Sequence, residues 1–90
     1  MINFLEITKS RLRNKILLHF FTNVDDEMYL REMALRLKED PGNLSKELSK
    51  LEREGIFISQ FRGKQKYFFL NKAYSLFNEL KSIILKGDEL

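Results

Sequence analysis

The only proline of the chain, Pro41, follows Asp40, and this pair constrains the fold more than any other feature of the sequence. An aspartate before a helix accepts hydrogen bonds from the unpaired backbone N–H groups of the first turn, and proline suits the first helical position because it has no N–H. A new helix therefore begins here. Gly55, suited to the left-handed conformation after a helix, marks its end.

The helix between these markers is predicted to have two unlike faces. With residues placed at intervals of about 100°, Leu44, Leu48 and Leu51 fall within about 60° of one another. The acidic residues Glu47, Glu52 and Glu54 fall on the flanks. The face opposite the leucines is basic and small, and contains Gly42, Lys46, Ser49, Lys50 and Arg53. Taken alone, this helix could equally be an ordinary solvated surface helix.

Two helices and a short strand are predicted before it. Ser10 or Thr8 can cap a first helix, which ends near Asn23 and repeats apolar residues at helical spacing, namely Leu12, Ile16, Leu17 and Phe20. The segment 28–30 is long enough only for an edge strand. A second, two-turn helix follows, with apolar residues at i, i+3, i+4 and i+7, namely Leu30, Met33, Ala34 and Leu37.

The next segment predicts a basic β-hairpin. Residues 56–61 and 66–70 are rich in β-branched and aromatic side chains, and Gly63 stands at the first central position of the turn between them, as a type II′ hairpin requires. The tip contains Arg62, Lys64 and Lys66, long cations that can reach phosphates or a minor groove. A lone basic turn is often only solvated, so the adjacent basic helix strengthens the interpretation.

Charge and composition exclude several classes of function. The net charge is +3, and residues 41–72 have seven cationic and three acidic residues, a net +4, which leaves −1 for the rest of the chain. The chain has no cysteine and one histidine, so we expect no metal and no cofactor. No apolar run approaches the ~18 residues of a membrane span, so we expect no membrane partner. We also expect no enzymatic activity, because no nucleophile or carboxylate pair shares a plausible cleft.

The C-terminal segment predicts a helix over about 73–86 with a wide apolar stripe. Tyr74 and Leu85 fall nearly opposite that stripe and give the helix a second apolar face. Together with unassigned apolar residues near the N-terminus, this favours a homodimer. The alternative is that the N-terminal residues pack across the last helix within one chain. The predicted dimerisation residues are Phe4, Leu5, Tyr74, Phe77, Leu80 and Ile84.

The stretches 30–34, 40–56 and 62–68 together resemble winged helix-turn-helix regulators of the ArsR/MarR type. The resemblance covers residues from about 10 to 86 and implies one α+β domain over 1–90. Such a domain has a three-helix core, a helix-turn-helix (about 30–54), a β-hairpin wing (about 56–70) and an additional C-terminal helix. It also implies a prokaryotic, cytoplasmic and nucleoid-associated protein that binds double-stranded DNA as a dimer.

Site residues follow from the same resemblance. The third helix of such domains lies in the major groove, and the wing lies over the neighbouring backbone or minor groove. Base edges would be approached by Asn43, Ser45, Lys46 and Ser49. Phosphate or minor groove would be contacted by Arg53, Arg62, Lys64 and Lys66, with Arg31 on a phosphate and Lys50 on the same basic face.

Two departures from the family pattern limit what is implied. The turn at Lys38-Glu39-Asp40 lacks the glycine that these families often use for a left-handed residue. The cysteine or histidine clusters of metal-sensing members are missing, so metal-regulated repression is not implied.

The segment 71–81 also resembles winged-helix domains that precede minimal nucleotidyltransferase domains, which would make the chain a stand-alone relative or a fragment.

The leading hypothesis is a sequence-specific transcriptional regulator that binds double-stranded DNA. The alternative is a winged-helix module that docks a protein partner such as a nucleotidyltransferase. RNA binding is less favoured, because the aromatic residues of the hairpin are expected to be absorbed by core or sheet packing rather than exposed for base stacking. These residues are Phe57, Phe61, Tyr67, Phe68 and Phe69.

Overall fold

The computed structural model describes the backbone of residues 10–89 and the side chains of residues 10–87. Four helices and three strands follow one another in this part of the chain, and the predicted α+β architecture is confirmed. Their order is α1 (Arg11–Thr22), β1 (Met28–Tyr29), α2 (Leu30–Leu37), α3 (Pro41–Arg53), β2 (Phe57–Arg62), β3 (Gln65–Leu70) and α4 (Phe77–Glu89).

Helix α1 is capped by Ser10, one of the two residues predicted for that role. The Ser10 hydroxyl accepts a hydrogen bond from the Arg13 backbone N–H at 3.2 Å. The helix ends at Asn23, whose N–H donates to the His19 carbonyl at 3.0 Å. Its inner side is apolar and buried, and contains Ile16, Leu17, Phe20 and Phe21. Helix α1 therefore contributes one whole side to the hydrophobic core.

Helices α2 and α3 form the predicted helix-turn-helix. The Asp40 carboxylate accepts a hydrogen bond from the Asn43 N–H at 2.9 Å, and Pro41 occupies the first turn, so the predicted start of α3 is confirmed. Leu44, Leu48 and Leu51 are completely buried. On α2, Met33 and Leu37 are buried beside them. The two helices thus share one apolar seam, which fixes how α3 is presented.

The turn between α2 and α3 takes the left-handed conformation without a glycine. Lys38 has φ 56° and ψ 52°, and its N–H donates to the Ala34 carbonyl. Within residues 10–89 it is the only non-glycine residue with positive φ. An L-residue in this conformation carries a cost of about 1–2 kcal/mol from its Cβ, so packing of the two helices holds the turn against a local preference.

We predict that Lys38→Gly raises the free energy of unfolding by about 0.5–1 kcal/mol. The Cβ strain is removed, and the greater freedom of glycine in the unfolded chain offsets only part of the gain. Chemical denaturation measures the difference. Lys38→Ala is the matched control, because it removes the charge but keeps the Cβ. A Gly variant no more stable than the Ala variant would contradict a strained turn.

The three strands form an antiparallel sheet in the order β1-β3-β2. The register pairs Phe57 with Leu70 and continues to Arg62 with Gln65, the pair next to the turn. Strand β1 is the predicted edge strand, with Met28 opposite Phe68. Gly63 has φ +61° while Lys64 is not among the residues with positive φ, which agrees with the predicted type II′ turn. One face of the sheet is buried against the helices at the end away from the turn, where Phe57 and Leu70 lie.

The hairpin extends beyond the core, and this corrects one expectation. Phe57 and Phe68 are buried, and Tyr67 and Phe69 are half-buried, as predicted. Phe61, however, is 69% exposed. Phe61 lies four residues further along β2 than Phe57, so alternation puts both rings on the same face of the hairpin. At Phe61 the strand has passed the buried core, and the ring stays exposed.

Helix α4 begins at Phe77, later than the predicted residue 73. The Asn71 side chain holds a separate turn before it: its Oδ1 accepts from the Ala73 N–H at 3.0 Å, and its Nδ2 donates to the Gly55 carbonyl at 2.9 Å. Tyr74 therefore precedes α4 and packs against the core, as Leu85 does. The predicted second apolar face of this helix is wrong.

The predicted dimerisation residues are largely used within the chain. Leu80 and Ile84 are buried in the core, and the Phe77 ring packs edge-to-face on Phe21 with 5.2 Å between ring centroids. Phe4 and Leu5 lie outside the described residues. The dimer stays a prediction, and Leu80 and Ile84 cannot supply exposed surface to it without leaving the core.

Candidate nucleic-acid interface

All of the side chains predicted to contact DNA are exposed. A solvated position is the minimum that such a role needs, and here it is met on α2, α3 and both wing strands. These residues are Arg31, Asn43, Ser45, Lys46, Ser49, Lys50, Arg53, Arg62, Lys64 and Lys66.

An open groove lies between the start of α2, the outer side of α3 and the wing. We name it the wing groove; its volume is about 540 Å³. Half of the predicted contact residues line it, namely Arg31, Ser45, Ser49, Lys64 and Lys66. The other lining residues are Leu30, Phe61, Gln65 and Phe68. The wing groove thus combines cations and hydroxyl groups with apolar side chains.

The rest of the basic face of α3 lies outside this groove. Asn43, Lys46, Lys50 and Arg53 are exposed on the helix, with the Arg53 Nε 3.5 Å from the Ser49 carbonyl oxygen. Within the described part of the chain, no carboxylate lies within 4.0 Å of a cationic nitrogen of Lys46, Lys50 or Arg53. Their charge is therefore available to a polyanion.

Arg62 differs from the other predicted contacts, because it is held on the opposite side of the wing. Its guanidinium lies 2.5 Å from a Glu27 carboxylate oxygen, donates to the Gln60 side chain at 3.1 Å, and stands 5.0 Å from the centroid of the Tyr67 ring. The hydrogen bond to Glu27 raises the pKa of Arg62. Successive side chains of a strand alternate between faces, so Arg62 points away from Phe61 and the wing groove.

Lys66 lies on the inner face of the wing, in a weaker electrostatic contact. Its Nζ is 4.0 Å from a Glu52 oxygen and 5.4 Å from the centroid of the buried Phe68 ring. Glu52 itself accepts a hydrogen bond from the Ser59 hydroxyl at 2.5 Å. Because 4.0 Å is too long for a hydrogen bond, Glu52 holds Lys66 only weakly, and Lys66 can turn toward a ligand in the groove.

Helix α3 is also joined to α1 by an ion-pair network that sequence reasoning missed. The Arg13 Nε donates to Glu47 Oε2 at 2.7 Å, and its Nη1 donates to Glu54 Oε1 at 3.0 Å. These bonds, the one to Glu54 foremost, raise the pKa of Arg13. Glu47 is buried rather than on an open flank. No spacing in the sequence pairs residues 13 and 47, so only the folded contact identifies them.

A third acidic residue, Glu39, is also bound to α1. The two terminal guanidinium nitrogens of Arg11, Nη1 and Nη2, donate to the Glu39 carboxylate at 2.9 Å, and the Lys15 Nζ donates to it at 2.8 Å. The hydrogen bonds from Arg11 and then from Lys15 lower the pKa of Glu39 to about 2. Several acidic side chains that flank the helix-turn-helix are thus neutralised by cations of α1 and are not free to neutralise those of α3.

We predict that Glu47→Gln lowers the free energy of unfolding by about 2 kcal/mol, because it weakens a charge-assisted hydrogen bond at a site with little water. Glu54→Gln alters the same guanidinium through a carboxylate that is 46% exposed, and should cost less than about 1 kcal/mol. Urea denaturation of both variants measures the two changes. Equal losses would mean that burial of Glu47 does not strengthen its bond to Arg13.

Neither a membrane span nor a metal cluster is found in the part of the chain that the structure describes. No helix there is long and apolar enough to cross a membrane. No group of three or more His, Cys, Asp or Glu side chains among those residues could hold a metal ion. The single histidine, His19, places its Nε2 at 2.7 Å from an Asp26 oxygen.

The helix-turn-helix, the hairpin wing and the groove between them define a winged helix-turn-helix domain. No protein-family model matches the sequence, and no curated protein matches it significantly. Solved structures do match. HlyU from Vibrio cholerae has a TM-score of 0.69 at 22% identity, with 94% of this chain and 84% of that chain covered.

Structures of MepR from Staphylococcus aureus match as well. MepR, described as a transcription regulator of the multidrug efflux pump MepA, has a TM-score of 0.63 at 18% identity over 84% of this chain and 58% of that chain. A point mutant of MepR, bound to an oligodeoxyribonucleotide, has a TM-score of 0.66 at 18% identity over 96% of this chain and 65% of that chain. At these identities the likeness establishes the winged-helix fold.

Proposed function

We propose that this protein is a transcriptional regulator that binds double-stranded DNA sequence-specifically, with α3 in the major groove and the wing on the neighbouring backbone or minor groove. The observation that supports it most is the exposed basic face of α3 beside a basic wing, with the leucine face of the same helix fully buried. The helix can reach a groove only with that basic face.

The division of the contacts follows from side-chain chemistry. Ser45, Ser49 and Asn43 can donate and accept hydrogen bonds at base edges, and Lys46 can donate to guanine acceptors, so these residues would supply sequence preference. Arg31, Lys50, Arg53, Lys64 and Lys66 would contact phosphates, which give affinity and salt dependence without sequence information. Arg62 would contact a phosphate only after its ion pair with Glu27 is broken.

The fold likeness to MepR is consistent with this proposal, since one of its matching structures is a complex with an oligodeoxyribonucleotide. We further propose that the protein acts as a homodimer on a two-fold site. The two α3 helices would then lie about 34 Å apart, which is one turn of the double helix. A DNA-binding role would place the protein in the cytoplasm with the nucleoid.

We predict that two classes of variant behave differently on DNA. Lys46→Ala and Ser49→Ala should change which base pairs are preferred, because they remove contacts to base edges. Lys64→Ala should weaken binding to all duplexes alike and reduce the slope of log K against log salt by about one unit. Dissociation constants on duplexes that differ by single base pairs, measured across salt concentrations, separate these effects.

Lys86→Ala is a matched control, because Lys86 is an exposed lysine on α4 that does not line the wing groove. It should leave both preference and salt slope unchanged. Equal losses on every sequence from all three interface variants would contradict base readout by α3. Absence of duplex binding by the wild-type protein would instead favour a module that docks a protein partner, and Lys46→Glu should then leave the partner complex intact.

A further inference from the structure

The most unusual side chain of the wing is Phe61, which is 69% exposed inside the wing groove. Single exposed apolar residues are common and need no explanation by themselves. Phe61, however, has Lys66 directly opposite it across the hairpin, with the Lys66 Nζ 6.0 Å from its ring centroid. Arg31 and Lys64 line the same groove. An exposed ring among three cations suggests a ligand that is both anionic and apolar.

A sugar-phosphate strand has this combination, because charged phosphates alternate with deoxyribose rings whose carbon faces are apolar. We infer that the wing groove receives one strand of the duplex, and that Phe61 packs against a deoxyribose of that strand while Arg31, Lys64 and Lys66 contact its phosphates. This inference rests on the proposed function and adds to it an apolar contact residue that no charge or hydrogen-bond argument identifies.

The position of the groove agrees with the duplex geometry of the proposal. With α3 in the major groove and the wing on the adjacent minor groove, the backbone strand that separates the two grooves must pass between α3 and the wing. The wing groove lies there, with Ser45 and Ser49 on one wall and Phe61 with Lys66 on the other. Its volume of about 540 Å³ is ample for a sugar-phosphate unit.

A single-stranded ligand stacked on the ring fits less well. Proteins that bind single strands without sequence preference stack successive bases on several aromatic side chains. Here Phe57 and Phe68 are buried in the core, and Tyr67 and Phe69 alternate onto the opposite face of the hairpin. Phe61 is thus the one exposed aromatic ring of the described wing, which provides a contact for one sugar and no platform for a run of bases.

The test compares Phe61→Ala with Ile58→Ala. Ile58 is an exposed apolar residue of the same strand, 40% exposed, and alternation places it on the other face of the hairpin. Fluorescence anisotropy on a mixed-sequence duplex of about three helical turns and on a single strand of equal length gives the affinities at about 0.15 M salt. Thermal unfolding checks that both variants fold like the wild type.

We expect Phe61→Ala to weaken duplex binding about tenfold, or about 1.4 kcal/mol, with an unchanged salt slope because no charge is lost. Ile58→Ala should bind as the wild type does. Phe61→Leu should recover most of the affinity, since an apolar contact to a sugar does not require a ring. Lys66→Ala should lower the salt slope by about one unit, which distinguishes a phosphate contact from the sugar contact.

Three results would overturn the inference. If Phe61→Ala binds the duplex as tightly as the wild type while Lys46→Ala and Lys64→Ala are impaired, the sugar contact is wrong and the proposed function survives. If Phe61→Ala loses more affinity for the single strand than for the duplex, and Phe61→Leu does not recover it, the ring stacks on bases instead. If the wild type binds no duplex, both the inference and the proposed function fail.

Discussion

Burial of the three leucines of α3 is the constraint on which the rest of the structure depends. Leu44, Leu48 and Leu51 have no exposed surface, and each contributes about 1.5–3 kcal/mol when it is removed from water. Their burial fixes the rotation of α3 about its axis. Arg13 then ties the edge of the helix to α1 through Glu47. The basic face is therefore presented outward in one orientation, a requirement for any contact that depends on geometry.

Charge is partitioned as a consequence of this packing. Glu39, Glu47 and Glu54 are bonded to cations of α1, so much of the acidity beside the helix-turn-helix is neutralised. Lys46 and Lys50 have no carboxylate within 4.0 Å in the described part of the chain. On the wing, the two ion pairs differ in strength. The Arg62 guanidinium lies 2.5 Å from a Glu27 oxygen, whereas the Lys66 Nζ lies 4.0 Å from a Glu52 oxygen.

Local signals in the sequence were sufficient to predict the elements. Asp40-Pro41 defines the start of α3, and Gly63 defines the hairpin turn, because each is a chemical requirement of that backbone geometry. The later start of α4 was missed, since it depends on the Asn71 side chain bonding to Gly55 from a distant part of the chain. The bond between Arg13 of α1 and Glu47 of α3 likewise joins distant parts of the chain, so local signals do not predict it.

The sequence predicts which residues form the candidate site better than it predicts how these residues are placed and paired. Period and charge identified which side chains are exposed, and Lys38 showed that a turn expected to need glycine can be held by packing instead. Neither the pairing of Arg62 with Glu27 nor the exposure of Phe61 follows from the sequence, because both depend on how far the hairpin extends past the core.

Selection from a pool of random duplexes at about 0.15 M salt tests the central claim most directly, because contacts to phosphate alone are already weakened there. A regulator that reads bases through α3 as a dimer predicts enrichment of a two-fold symmetric motif with half-sites about one helical turn apart. Weak binding with no enriched sequence would contradict that account.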